Sequence, residues 1–258
     1  MYRGHRTSII RADIHRIATD KKAYLAFAAG LFLLLRPLFD ILGYWHNYSP
    51  IELLSIPLGI SDFSPFAAIF CVFPFSESFC EDINSGYYYS IVSRTGVKHY
   101  AMQRCFSVGL SGGIVVGAIM LATIGFCLIA VGINAPPDDY SFMDNTMWAQ
   151  TGILQIWNGK LLYFIRVFVA FLFGYVWAMV GLTVSVLIPN RYVTLIAPFV
   201  LYQFLWFLMS ESPFNPVYMF RGDSNFIPSF GFLLFYQCLI ILLCSGISYF
   251  GIIKRVRI

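Results

Sequence analysis

A chain of 258 residues that is 59% hydrophobic and only 12% charged carries more apolar surface than a water-soluble fold of that length can hide, so the excess must face lipid. Its formal charge of +4 is modest and gives no basis for nucleic-acid binding. The apolar runs are continuous rather than alternating in polarity, which excludes a barrel and predicts an all-α polytopic membrane protein.

Residues 1–22 come first and are basic. Ile10, Ile14 and Ile17 fall on one helical face while Arg11, His15, Arg16 and Lys22 lie away from it. That pattern predicts an N-terminal helix lying in the cytoplasmic interface rather than a secretory signal, since no small-residue cleavage site follows.

Six apolar stretches then occupy residues 23–258: Ala23 to Leu42, Phe63 to Phe79, Cys105 to Gly132, Leu161 to Ile188, Val193 to Met209 and Ser229 to Ile253. Each is close to the roughly 20 residues that a spanning helix needs. An even number of spans puts both termini on one side. That side holds 13 of the 17 basic residues against five acids, and the opposite side holds four basic residues against eight acids. The asymmetry places both termini in the cytoplasm.

Charged groups within spans are costly and therefore informative. In the first span Arg36 and Asp40 are spaced to pair on one helix face, and Arg36 and Arg166 are expected to reach toward the headgroups. Glu77 is expected at the interface, with a water-filled cavity as the alternative. Gly109, Gly113 and Gly117 form a small-residue ridge on the third span, expected to pack within the same chain. The six cysteines lie in spans or at their cytoplasmic edges, with no spacing that suggests disulfides or a metal site.

Between the second and third spans, acids close one helix and a second is expected over residues 86–94, with Tyr87, Tyr88, Ile91 and Val92 as its apolar face and Gly96 at its end. Such a helix needs a surface to cover that face: its own bundle, or another protein. Further on, residues 133–160 form an acidic outer loop, and residues 211–228 contain Pro213, Pro216 and Pro228, which suggests a broken segment re-entering the outer leaflet.

The order of Glu81, Gly86, the Ser93-Arg94 pair, Tyr100 and Arg104 resembles the type-2 permease subunits of ABC transporters, although Arg104 stands where lysine is commoner. The resemblance extends to the interfacial leader, which looks like the family's connecting helix. It also covers the tight turn over Ser185 to Tyr192 and the C-terminal Tyr249-Phe250 to Lys254-Arg255. It implies an exporter subunit in the bacterial cytoplasmic membrane, working as a homodimer or heterodimer with a second permease subunit and driven by cytoplasmic ABC ATPase subunits. It assigns ATPase coupling to Glu81, Gly86, Tyr87, Tyr88, Ile91 and Arg94. The substrate path then falls on Phe70, Phe73, Phe199, Gln203 and Trp206, whose aromatic character leans toward an amphipathic or hydrophobic cargo.

No cofactor is expected in this chain. It has no GxxxxGK[ST] motif, so ATP and Mg would be bound by the partner ATPase. Leu110-Ser111-Gly112-Gly113 imitates part of an ATPase signature, but it falls inside an apolar helix. An intramembrane enzyme would need paired acids or a histidine within a span, and neither is present. A secondary transporter, or an accessory or sensor subunit without its own path, remains as the alternative.

Overall fold

The computed structural model describes residues 13, 15, 16, 19–61, 63–131, 160–221 and 229–256. From Lys21 onward the described residues form ten α-helices and one 3-10 turn, Leu42–Asn47. The helices are α1 (Lys21–Phe39), α2 (Pro50–Ile60), α3 (Phe63–Val72), α4 (Ser78–Asn84), α5 (Tyr87–Thr95), α6 (Val97–Val131), α7 (Lys160–Leu187), α8 (Arg191–Leu208), α9 (Pro216–Arg221) and α10 (Phe230–Val256). Ile10, Ile14 and Ile17, residues 133–159 of the expected outer loop and residues 222–228 lie outside the described residues.

Five helices, α1, α6, α7, α8 and α10, are long and apolar enough to cross a membrane. This is an integral membrane protein. A sixth candidate arises only if α2 and α3 are taken together, and these are bent by 81° to one another.

The expected second span, Phe63 to Phe79, is not one uninterrupted α-helix. Pro74 has no N–H to continue the ladder, and the chain passes through a turn before α4. Bonds from Phe73 N to Ile69 O (3.0 Å), Ser76 N to Val72 O (3.1 Å) and Glu81 N to Glu77 O (3.0 Å) keep that turn close to helical.

Helix α2 falls where the sequence suggested an outer loop. Its start is written locally: the Ser49 hydroxyl accepts from Glu52 N at 3.3 Å, the Glu52 carboxylate accepts from Ser49 N at 2.7 Å, and Pro50 opens the helix. Ile51, Leu53, Leu54 and Leu58 are buried, and the helix packs on α1 and α6.

The centre of the bundle is the α6–α7 seam. Gly109 faces Tyr175, and Gly113 and Gly117 face Phe171, so the ridge does pack within the chain. At the closest approach, a Cβ added to Gly112 would lie 2.7 Å from the Gly174 carbonyl oxygen and 2.8 Å from that of Cys71. Around this seam α8 and α10 pack on α7, and α1 packs on α6. Asn190 opens α8 by accepting from Tyr192 N (2.9 Å) and Val193 N (3.4 Å), while Arg255 Nη2 donates to Leu187 O at 2.7 Å and closes α7.

Two expectations about charge fail. Arg166 does not reach the surface, because only 2% of it is exposed within the α7 packing. Arg36 and Asp40 are both exposed and form no ion pair with each other.

The seam is the feature most sensitive to a single methyl group. Gly112→Ala should lower stability by about 1–3 kcal/mol, because backbone atoms of two other helices cannot yield. Gly125→Ala, where nothing lies within 4 Å, should leave it unchanged. Thermal unfolding in detergent checks the pair, and equal melting temperatures would contradict the packing described.

Candidate functional site

The N-terminal ends of α1, α6 and α8 meet α4 around a cluster of ionised groups drawn from five parts of the chain. Among the described residues, four cations (Arg16, Lys22, Arg104 and Arg191) face four carboxylates (Asp13, Glu77, Glu81 and Asp82).

Asp82 is the hub. Arg104 pairs with it directly, Tyr100 donates its hydroxyl at 2.8 Å, and Arg16 Nη1 lies 3.9 Å away. Arg104 also faces Asp13 at 3.6 Å, and Ser107 donates to Asp13 at 3.0 Å. Arg104, 2% exposed, lies over the rings of Phe75 (5.1 Å) and Tyr100 (5.4 Å), so its hydrocarbon side is covered as well.

Glu77 makes the second hub. It pairs with Lys22, and Arg191 Nε approaches it at 2.6 Å. Glu81 joins through Lys22 at 3.5 Å. Glu77 is therefore not an interfacial group in water but a buried one, 2% exposed, beside a cavity of about 220 Å³ lined by Arg16, Lys22, Phe75, Glu77 and Glu81. Buried charges persist only when paired, and each of the buried ones, Asp13, Glu77, Asp82 and Arg104, lies within 4 Å of an opposite charge.

Helix α5 hangs between α4 and α6, and a glycine bounds it at each end. Gly86 precedes it at φ 70 and Gly96 follows at φ 81, conformations a side chain would strain. The expected span of 86–94 is thus displaced by one residue, with Gly86 as the cap and Tyr87–Thr95 as the helix.

Of the four residues expected on its apolar face, three lie inward and Tyr87 does not. Tyr88, Ile91 and Val92 are half-buried against the protein's own core, while Tyr87 (53% exposed), Tyr89 (66% exposed) and Arg94 point outward. The Tyr88 and Tyr89 rings lie 4.0 Å apart, and the hydrogen bond between them raises the Tyr88 hydroxyl above the usual phenol range, with desolvation acting the same way. Arg94 forms no ion pair among the described residues, so of the two charges only Glu81 is tied into the cluster.

The residues expected along a path do not form one pocket. Phe70 and Phe73 are half-buried, and Phe70 stacks with Phe63 at 6.1 Å. Phe199 stacks with Phe66 at 5.7 Å across the α3–α8 contact, Gln203 is half-buried, and Trp206 is 48% exposed. An apolar cavity of about 360 Å³ lies elsewhere, among α7, α8, the segment through α9 and α10, and none of these five residues lines it.

No protein-family model, curated protein or solved structure matches the chain.

The Asp82–Arg104 pair gives the site its test. Arg104→Met should destabilise the protein by about 3–5 kcal/mol by leaving Asp82 buried beside a lost partner, and Arg104→Met with Asp82→Leu should recover part of that loss. Chemical denaturation in detergent reads both. A double variant no more stable than the single one would mean that the two charges are not coupled.

Proposed function

We propose that this chain is the membrane-spanning permease subunit of an ATP-driven ABC exporter of the type-2 kind, paired with a second permease subunit and driven by separate cytoplasmic ATPases. The observation that carries the reading is α5: a short helix with two outward tyrosines, bounded by positive-φ glycines and joined at both ends to elements of a buried ion cluster. The order of residues through this region, from Glu81 to Arg104, supports the same reading.

In this scheme the chain crosses the membrane six times, with the stretch from Phe63 to Phe79 as the second crossing. Both termini, α4 and α5 are cytoplasmic, as the distribution of basic residues favours. Residues 1–22 lie along the inner interface, and residues 211–228 form the outer re-entrant segment.

The outward face of α5, led by Tyr87 and Tyr89, would seat against the ATPase, which binds ATP and Mg. Displacement of α5 would then act on α4 through Gly86 and on α6 through Gly96. Because Asp82 joins α4 to Arg104 and Tyr100 on α6, those two elements would move as one. Glu77 extends the coupling to Lys22 on α1 and Arg191 on α8. A push at one helix would therefore be shared by four parts of the bundle. Glu81, Gly86, Tyr88, Ile91 and Arg94 support this transmission, and Phe70, Phe73, Phe199, Gln203 and Trp206 line the proposed path between α3 and α8.

Affinity purification from native membranes should bring down a nucleotide-hydrolysing subunit. Tyr87→Asp with Tyr89→Asp should reduce that recovery by about tenfold or more while the permease still inserts, as loss of two interface aromatics would. Lys98→Ala, an exposed change just beyond α5, should have little effect. Solute transport by the purified chain alone, without nucleotide, would sink the reading and favour a secondary transporter.

A further inference from the structure

We infer that the cavity of about 360 Å³ among α7, α8, α9 and α10 holds an acyl chain of a membrane phospholipid. Its walls include Trp177, Val180, Thr183, Leu205, Tyr236 and Cys244, and no charged residue lines it. A space so lined does not hold water well, because a water molecule needs two to four polar partners. The one threonine hydroxyl is already engaged, donating to Met179 O at 2.9 Å and lying 3.0 Å from Ser248 Oγ.

The shape suits a chain rather than a compact solute. On α7 the lining runs from Val176 to Val184, and on α10 from Tyr236 to Cys244. Either interval is about 12 Å along a helix axis, enough for a stretch of hydrocarbon laid parallel to the spans.

Access comes from the bilayer. Helices α8 and α10 both pack on α7, and neither packs extensively on the other, so the space between them faces the surrounding lipid. The outer surfaces of both carry large exposed apolar groups, among them Phe204, Phe207, Leu242 and Leu243.

A polar end is also provided. The indole N–H of Trp177 is buried with no hydrogen-bond acceptor among the described residues, at a residue that is 3% exposed and lines the cavity. An unmet buried donor is costly, and an ester carbonyl of a phospholipid would supply its acceptor. The site does not depend on the transport reading, since it lies apart from the α3–α8 contact and from the ion cluster.

The test uses the full chain in phosphatidylcholine vesicles carrying a small fraction of phosphatidylcholine with a diazirine midway along one acyl chain. After irradiation, adducts are located by peptide mass spectrometry. Labelling is expected within 176–184 and 236–244 at residues that line the cavity. Val180→Trp, or Val184→Phe if the first variant fails to fold, should reduce that labelling by about tenfold by filling the space, while adducts on exposed Phe207 stay unchanged. Absence of cavity adducts in the unaltered protein would overturn the assignment, as would equal labelling of a folded, filled variant. Labelling by a diazirine fatty acid but not by the phospholipid would also overturn it, and would identify a free amphiphile as the occupant.

Discussion

The arrangement of the N-terminal ends of α1, α6 and α8 around α4 depends on keeping Arg104 ionised and buried beside Asp82. An isolated charge at 2% exposure would be severely destabilising, and this one is tolerated because two carboxylates and two aromatic rings surround it. Asp82 in turn has Tyr100 and Arg16 as further partners. Each group therefore fixes the position of elements remote in sequence. The leader is drawn to α6 through Asp13, α1 to the turn before α4 through Lys22, and α8 to the same turn through Glu77. Hydrophobic packing alone would hold spans in lipid only loosely, because lipid tails are as apolar as the side chains they cover. The ion cluster supplies direction, and the glycine seam between α6 and α7 supplies close contact.

Helix length sets how this cluster meets the bilayer. At 35 residues, α6 is about 52 Å long, well beyond the roughly 30 Å of hydrocarbon. Its first turns can therefore stand clear of the lipid and carry Tyr100 and Arg104 to a depth where Arg16 and Arg191 remain partly wet, at 41% and 51% side-chain exposure. Asp82 on α4 and Arg104 on α6 are nearly fully buried, while Glu81, Arg16 and Arg191 retain solvent. That gradient lets one network serve as both a structural lock and a surface continuous with α5.

The long spans were legible in the sequence because lipid enforces a simple rule, an unbroken apolar run of sufficient length. The glycine ridge was legible for a similar reason: Gly109, Gly113 and Gly117 share a helix face irrespective of what they touch. Helix α2 was not read, although Ser49, Pro50 and Glu52 spell its capping box, because at 11 residues it is too short to register as a span. The ion cluster was missed because its pairs join residues as distant as Lys22 with Glu77 and Asp13 with Arg104, and periodicity reports only on neighbours. Arg166 was misjudged on the same ground. Snorkelling is the default for an arginine on an isolated helix, and the packing of α7 removes that option. On α5 the pattern gave the helix and three of the four residues on its covered face, Tyr88, Ile91 and Val92. Tyr87 was misplaced, because the first residue of a short helix lies at the edge of its apolar stripe and points outward here.

Helix α7 brings these separate features into one physical scheme. Toward α6 it presents Gly174, allowing backbone contact and leaving no room for a ligand. Toward α8 and α10 it presents Val176, Trp177, Val180 and Val184, and the space there is left open. The two faces are complementary: tight packing on one side fixes the helix rigidly enough that a cavity on the other need not collapse. Arg255 and Leu187 then close its C-terminal end, and the turn to Arg191 carries it directly to Glu77. The helix that borders the apolar cavity on one flank is thus the one whose end leads, through that turn, into the ion cluster.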